Sequence, residues 1–314
     1  MRKLFFLLLV LSTTFGFGCR EGSIDKPNNI PNDNDSKNIV PNDEIWYTST
    51  STTVPTNPTD PTDDWFQPWP YNPSIFGVNI VSNTYDTDKE CWVIKFDGEV
   101  TRVGEMAFWE CLSITSVALP DSVTQIKYSA FKGCVNLTTI SLGNGVTTIG
   151  SRAFYDCVSL ADIVLPDSVT TIKSGAFNGC RSLTNITLSN NVTFLGDRTF
   201  AHCSGLTDIT LSDNLEVIEE QTFYGCTNLT SITLPQGVTA IGHYAFFDCM
   251  NLASIYCMAT TPPTLGEYVF NIQGNTSMDV VPIDCPIYVP TESVDAYKAA
   301  PGWSDYASKI VGCD

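Results

Sequence analysis

The chain has 314 residues with 34 acidic and 16 basic side chains, a net charge of −18, and a hydrophobic content of 43%, ordinary for a folded protein. That charge argues against a nucleic-acid partner, whose phosphates would be repelled, and against electrostatic binding to an anionic membrane. No apolar run reaches the roughly 18 residues that a bilayer span needs.

Met1-Arg-Lys gives a positive start, and Leu4 to Gly18 is a largely apolar run followed by polar residues. This pattern is a signal peptide, residues 1–18. Without its two bases the remaining chain carries 14 basic and 34 acidic side chains, a net of −20. Cys19 directly after Gly18 resembles a bacterial lipobox, in which the cysteine becomes the lipidated N-terminus. The alternative is ordinary secretory cleavage, with Cys19 a passenger.

Residues 19–75 read as a flexible tether. Arg20 to Asp43 is rich in Asn, Asp, Pro and Lys and cannot bury enough surface to offset chain entropy. Within the same span Glu44 to Thr50 suits a strand, through Ile45, Trp46 and Tyr47. Trp65 to Tyr71 (WFQPWPY) is either a flap on the N-terminal cap or an aromatic anchor for a partner. Residues 76–104 form a cap in which Phe76 to Val100 gives two strands about a polar turn. A cap is needed because the first coil would otherwise expose a sheet edge and an open core.

Residues 105–257 hold a unit of 23 residues seen seven times. Cysteines recur at Cys111, Cys134, Cys157, Cys180, Cys203, Cys226 and Cys249. Three residues before each stands a phenylalanine, Phe108 through Phe246, and apolar columns follow three and six residues after it. Such a period means a solenoid whose coils bury their faces only against neighbours. Thr138 to Leu142 and its equivalents alternate polar and apolar residues, which predicts short parallel strands. Thr147 to Gly150 is a second extended piece, and Ser151 to Cys157 a helical turn. Residues 258–314 make a C-terminal cap: Phe270 mimics one more repeat phenylalanine, Ile287 to Val289 is a strand, and Val294 to Ala300 and Ser304 to Ile310 are short helices around Trp303.

The core Leu137-x-x-Ile140-x-Leu142 resembles leucine-rich repeats. The preceding Ala-Phe-x-x-Cys and the following Pro-x-x-Val-x-x-Ile-Gly resemble, within them, the BspA-like subfamily of exported bacterial proteins. The resemblance implies an α/β repeat solenoid, a right-handed superhelix with a parallel β-sheet, short second strands and helical turns, capped at both ends. It also implies a non-catalytic adhesion protein, lipid-anchored to the outer membrane and surface-exposed. Where leucine-rich repeats usually carry a ladder asparagine, this chain has Ser122, Gly145, Ser168, Asn191, Asn214 and Gly237, so no continuous asparagine ladder is available.

Seven stacked cysteines point one way into the core, and parallel side chains do not give a disulfide dihedral without strain. They read as buried free thiols; spacing of 23 makes a row, not a metal tetrahedron. Any disulfide in the chain would join two of Cys257, Cys285 and Cys313, which all belong at or near the C-terminal cap. No phosphate loop, His-Glu-x-x-His or Gly-x-Ser-x-Gly is present, and His202 and His243 fall at different repeat positions. Neither catalysis nor a cofactor or metal is therefore expected.

The outward strand positions, from Ser116 and Thr139 through Asp162 and Asp208 to Ser254, are small and polar, with no aromatic until Tyr256. A second column, two residues before each cysteine, holds Trp109, Tyr155, Tyr224 and Phe247, and Tyr244 lies near it in sequence. These five are the candidate contact residues. The expected partner is a protein, from a host, a matrix or another bacterial surface. A glycan is the second possibility, and an envelope spacer or assembly component is the alternative role. The membrane is reached only through the lipid anchor.

Overall fold

The computed structural model describes residues 39–50, 75–273 and 280–314. Cys19, the leader, most of the tether and Trp65 to Tyr71 lie outside the described residues. The rest is a parallel β-solenoid of about nine coils with very little helix.

Three strands build the N-terminal cap: β1 (Glu44–Ser49), β2 (Ile80–Asp86) and β3 (Cys91–Phe96). β3 lies between β2 and β1, and β1 runs antiparallel to Ile114–Ala118, the first strand of the solenoid wall. β1 is thus the strand that joins cap to coils. Ile45, Tyr47, Trp92, Ile94 and Phe96 face the common core, while Trp46, Val93 and Ala118 form a small second cluster on the other face. Buried Glu44 accepts the Trp46 indole N–H at 2.6 Å and pairs with Lys95 at 3.0 Å and Lys89 at 3.4 Å.

Each coil supplies one strand to a wall that includes Thr139–Ser141, Asp162–Ile163, Asn185–Thr187 and Ser231–Leu234, stacked parallel and in register. Period-two alternation puts Ile140, Ile163 and Ile186 inward. A second wall of two-residue strands, Thr148–Ile149 and its equivalents, also stacks in parallel. Gly150 ends that strand where the coils approach closely: a Cβ there would stand 2.6 Å from the Ile126 carbonyl oxygen.

The segment expected as a helical turn is not helical. Each repeat coil has two residues in the left-handed region, five and one before its cysteine: Arg152 at φ 57° and Asp156 at φ 55°, Gly175 at 63° and Gly179 at 78°, Arg198 at 54° and His202 at 58°. This alternation sends successive N–H groups in different directions. Ala153, Tyr155 and Cys157 close tight turns onto Gly150, Arg152 and Phe154, whereas Arg152, Phe154 and Asp156 donate to Ser174, Ala176 and Asn178 of the next coil at 2.8–2.9 Å. The result is a third inter-coil ladder, a turn ribbon. A helix would spend all these donors within its own coil.

Inside the ribbon the phenylalanines stack from Phe108 to Phe246, with ring centroids 4.9–5.7 Å apart and planes within 12°. Phe270 continues the stack at 5.4 Å, as its sequence position suggests. Trp303, Tyr297 and Tyr306 then close the core; the Trp303 indole donates to the Pro263 carbonyl at 2.7 Å. The C-terminal cap has one short α-helix, α1 (Val294–Ala299), and a 3₁₀ turn at Trp303–Tyr306. Ile310, expected to end a helix, instead opens the last wall strand, Ile310–Cys313. The broken asparagine ladder is kept in part, Asn191 donating to the Asp167 carbonyl at 2.8 Å, Asn214 to Asn190 at 2.7 Å and Ser168 to Val146 at 2.7 Å. Threonines in other columns add to it: Thr147 donates its hydroxyl to Thr124 at 3.1 Å and Thr230 to Thr207 at 3.2 Å, both backbone carbonyls one coil back.

Candidate functional site

Cys134, Cys157, Cys180, Cys203, Cys226 and Cys249 are free and buried; Cys111, at the end of the column, is half-buried. Each of the six donates its thiol to a phenylalanine carbonyl of the preceding coil, as Cys180 does to Phe154 at 3.2 Å. The column is therefore more than a row of small apolar groups, since it supplies one donor per coil. Burial pushes these thiols up, Cys203 to about 12, so they are protonated and unreactive in the fold. Cys257, Cys285 and Cys313 are also free: Cys257 accepts the Tyr297 hydroxyl at 3.2 Å, while Cys313 sits on the edge strand. No disulfide joins any two of these three.

The candidate contact residues divide. Tyr224 and Phe247 stack at 5.5 Å with planes 7° apart, and Tyr244 meets Phe247 edge-on at 5.5 Å. Two further rings extend the group: Tyr268 stacks on Tyr244 at 5.3 Å and His202 meets Tyr224 edge-on at 5.1 Å. Five rings thus form a belt along the outside of the turn ribbon. His202 and Tyr268 are exposed, Tyr224 and Tyr244 half-buried. Phe247 is only 4% exposed, closed in by Tyr224 and Tyr244, so it supports the belt and is not itself a contact residue. Burial raises the Tyr224 hydroxyl pKa, with the Asp248 carboxylate adding to the effect.

Trp109 and Tyr155 do not join them. Lys132, Asn178 and Ala201 occupy the intervening places in the column, leaving Trp109 five coils from Tyr224, roughly 24 Å. Trp109 is half-buried, and its indole N–H has no acceptor among the described residues. Tyr155 lies under the Lys132 ammonium, 5.4 Å from the ring centroid.

Of the two added rings, Tyr268 is the equivalent of Tyr244 one coil on. A one-residue insertion hides it, since Phe246 and Phe270 are 24 positions apart where the repeat has 23. His202 was legible as a surface residue but not as a ring partner.

On the wall, Asp162, Asn185 and Asp208 are exposed, whereas Ser116 is buried with its hydroxyl against Thr48 of β1. Tyr256 is not alone there: Tyr288 stacks on it at 4.8 Å from the adjacent strand Ile287–Pro290. Strand alternation placed Tyr288 outward, so it was accessible to sequence reasoning and was missed. Among the described residues no group of three or more His, Cys, Asp and Glu is placed to hold a metal, and no helix is long and apolar enough to cross a membrane.

The model of the BspA-type leucine-rich-repeat region matches residues 78–205 and 147–277, with six copies. Comparison with curated proteins finds no match. Among solved structures the chain is similar to a T. pallidum leucine-rich-repeat protein, with 37% identity over 50% of this chain and 74% of the other, TM-score 0.49. It is also similar to a leucine-rich cell surface protein of Faecalibacterium prausnitzii, with 29% identity, 62% and 60% coverage and TM-score 0.48. A Bacteroides ovatus leucine-rich-repeat protein gives 23%, 68%, 63% and 0.47. The chain spans less than two thirds of the F. prausnitzii and B. ovatus proteins.

Proposed function

The chain belongs to the BspA-type leucine-rich-repeat family, and from that premise we propose that it is a non-catalytic, surface-displayed binding protein whose partner is another protein. The observation that carries this reading is the belt of His202, Tyr224, Phe247, Tyr244 and Tyr268. Contacts that dominate protein interfaces are enriched in aromatic anchors surrounded by less important polar groups, and the belt is a continuous row of rings on a rigid ribbon. Tyr244 and Tyr268 hold left-handed backbones at φ 56° and 55°, a conformation in which a bulky side chain is unfavourable. Arg152 and Arg198 hold the same position in other coils, so the backbone cost belongs to the ribbon, and what distinguishes these two coils is the pair of rings they present.

The test uses the full chain against a panel of host-matrix proteins, run beside a glycan array. The double variant Tyr244→Ser, Tyr268→Ser is expected to weaken protein binding at least tenfold, about 1.4 kcal/mol. Asp162→Ala with Asp208→Ala on the wall is expected to do less, both variants keeping the parent melting curve. Greater damage from the aspartate pair would move the site to the wall, and capture of glycans alone would replace the protein partner.

Export and anchoring form a separate part of the proposal. The charged start, the short apolar run and Gly18-Cys19 support a lipid anchor at Cys19 that displays the solenoid on the outer membrane. Palmitate labelling that is lost in Cys19→Ser is the expected result; absence of label from the parent protein rejects the anchor.

A further inference from the structure

Among the described residues strand β2 ends the six-stranded sheet and pairs only with β3. Two backbone bonds fix the phase of this pairing. Asp97 donates to the Asn79 carbonyl at 3.0 Å, on the β2 side, and Phe96 donates to the Asp43 carbonyl at 2.9 Å, on the β1 side. Successive residues of an antiparallel ladder alternate sides, so Lys95, Val93 and Cys91 turn their backbone groups toward β2. Their partners Ser82, Thr84 and Asp86 answer them. The N–H and C=O groups of Asn83 and Tyr85 therefore point away from β3, and no backbone partner for them exists among the described residues.

A donor–acceptor pair on every second residue is what an added strand engages. Folded proteins commonly blunt such an edge with lysine, proline or a covering element. β2 reads IVSNTYD, with neither lysine nor proline, and its one irregularity lies at the Ile80/Ser82 end. Val81 is 63% and Tyr85 49% exposed beside the open groups. Tyr85 is nevertheless fixed in place, edge-on to Trp92 at 5.5 Å, and Trp92 in turn stacks on Tyr47 at 6.2 Å.

The charges at the two ends of this edge specify what fits it. Asp86 and Asp88 stand at the hairpin end, Asp97 and Glu99 at the other. Lys95 is drawn to Glu44 at 3.0 Å, and Lys89 lies between Glu44 at 3.4 Å and Asp86 at 3.2 Å, so the carboxylates left without a lysine are Asp88 at the hairpin end and Asp97 and Glu99 at the other. A second copy pairing through its own β2 about a two-fold axis would set the acidic hairpin end of each copy on the acidic far end of the other. We infer that the free edge of β2 docks an extended segment of another protein, with alternating β-favouring residues and lysine or arginine at its ends. This surface lies at the opposite end of the solenoid from the aromatic belt, so either can fail alone.

The experiment follows amide exchange in the full chain with and without a short synthetic peptide of alternating threonine and valine flanked by lysine pairs. The Tyr85 amide is expected to exchange freely in the protein alone and to slow at least about tenfold with this peptide. The same peptide flanked by glutamates, or N-methylated on alternate amides, is expected to have no effect, and Tyr85→Pro, which removes that N–H, to abolish the slowing read at the Asn83 amide, which also points away from β3. The N-methylated peptide carries the test if Tyr85→Pro does not fold. Failure of the lysine peptide to protect Tyr85 overturns the inference, as does equal protection by the glutamate peptide. So does protection already present without peptide: dependence on protein concentration would identify a second copy, and independence the chain's own residues.

Discussion

The sheet wall and the turn ribbon stack the same coils, yet they hold them by different means. The wall needs only alternation: Ile140, Ile163 and Ile186 inward, small polar residues outward, and threonine hydroxyls bridging coils. Many sequences satisfy that. The ribbon needs two left-handed residues per coil, a stacked ring and a thiol donor, all in fixed register. Specificity of the fold is therefore concentrated in the ribbon, and the ribbon also carries the aromatic belt. A tolerant wall and an exacting ribbon should respond unequally to perturbation.

Ionising the thiol column gives the largest expected effect. Burial is the first cause in every case, raising Cys203 to about 12 and Cys134, Cys180 and Cys226 well above their ordinary value of 9.0. A thiol with a raised folded pKa keeps its proton in the fold after the unfolded chain has lost it. Its stability contribution is complete below about pH 9 and is lost as pH rises from there toward 12, at about 1.4 kcal/mol per pH unit for each thiol. Melting temperatures should therefore fall steeply above about pH 9, and less steeply in Cys180→Ala, Cys203→Ala, which has fewer such thiols. An equal slope in the variant would show that other groups drive alkaline unfolding.

A single ribbon residue comes next. Gly179 has φ 78°, and a Cβ there would stand 2.2 Å from Asp156 Oδ1, a flexible side-chain end that can move aside. What remains in Gly179→Ala is the left-handed backbone, so a loss of about 1–2 kcal/mol is expected in denaturant melts. The same position carries Asp156 and His202 in neighbouring coils, which shows that a side chain is tolerated at a cost. A neutral Gly179→Ala would mean that the ribbon is no more exacting than the wall.

This contrast also explains what could be read from the sequence. The Phe and Cys columns were legible because every coil buries the same positions, and burial restricts residue type in a repeating way. The left-handed pairs were not, because Arg152, Asp156, Arg198 and His202 give little sign of them; only glycines such as Gly175 and Gly179 do. Column arithmetic brought Tyr224 and Phe247 together correctly. It could not show that Phe247 is buried, because that depends on Tyr244 closing over it from an adjacent column. Repeat periodicity orders residues along the solenoid but says nothing about which side chains cross between columns.

The smallest effect belongs to the wall side. Thr147 donates its hydroxyl to the Thr124 carbonyl at 3.1 Å and is itself bonded through its backbone N–H to the same oxygen at 2.9 Å. Removing the hydroxyl in Thr147→Val leaves that carbonyl with a partner, so no buried acceptor is orphaned. The lost bond is solvent-exposed and contributes about 0.5–1.5 kcal/mol at most, while valine keeps the β-branched shape that suits an extended segment. The expected net change in denaturant melts is therefore under about 1 kcal/mol, with the slope of the transition unchanged. A loss equal to that of Gly179→Ala would show that the threonine ladder fixes coil register as strictly as the ribbon does, and the distinction between the two would fail.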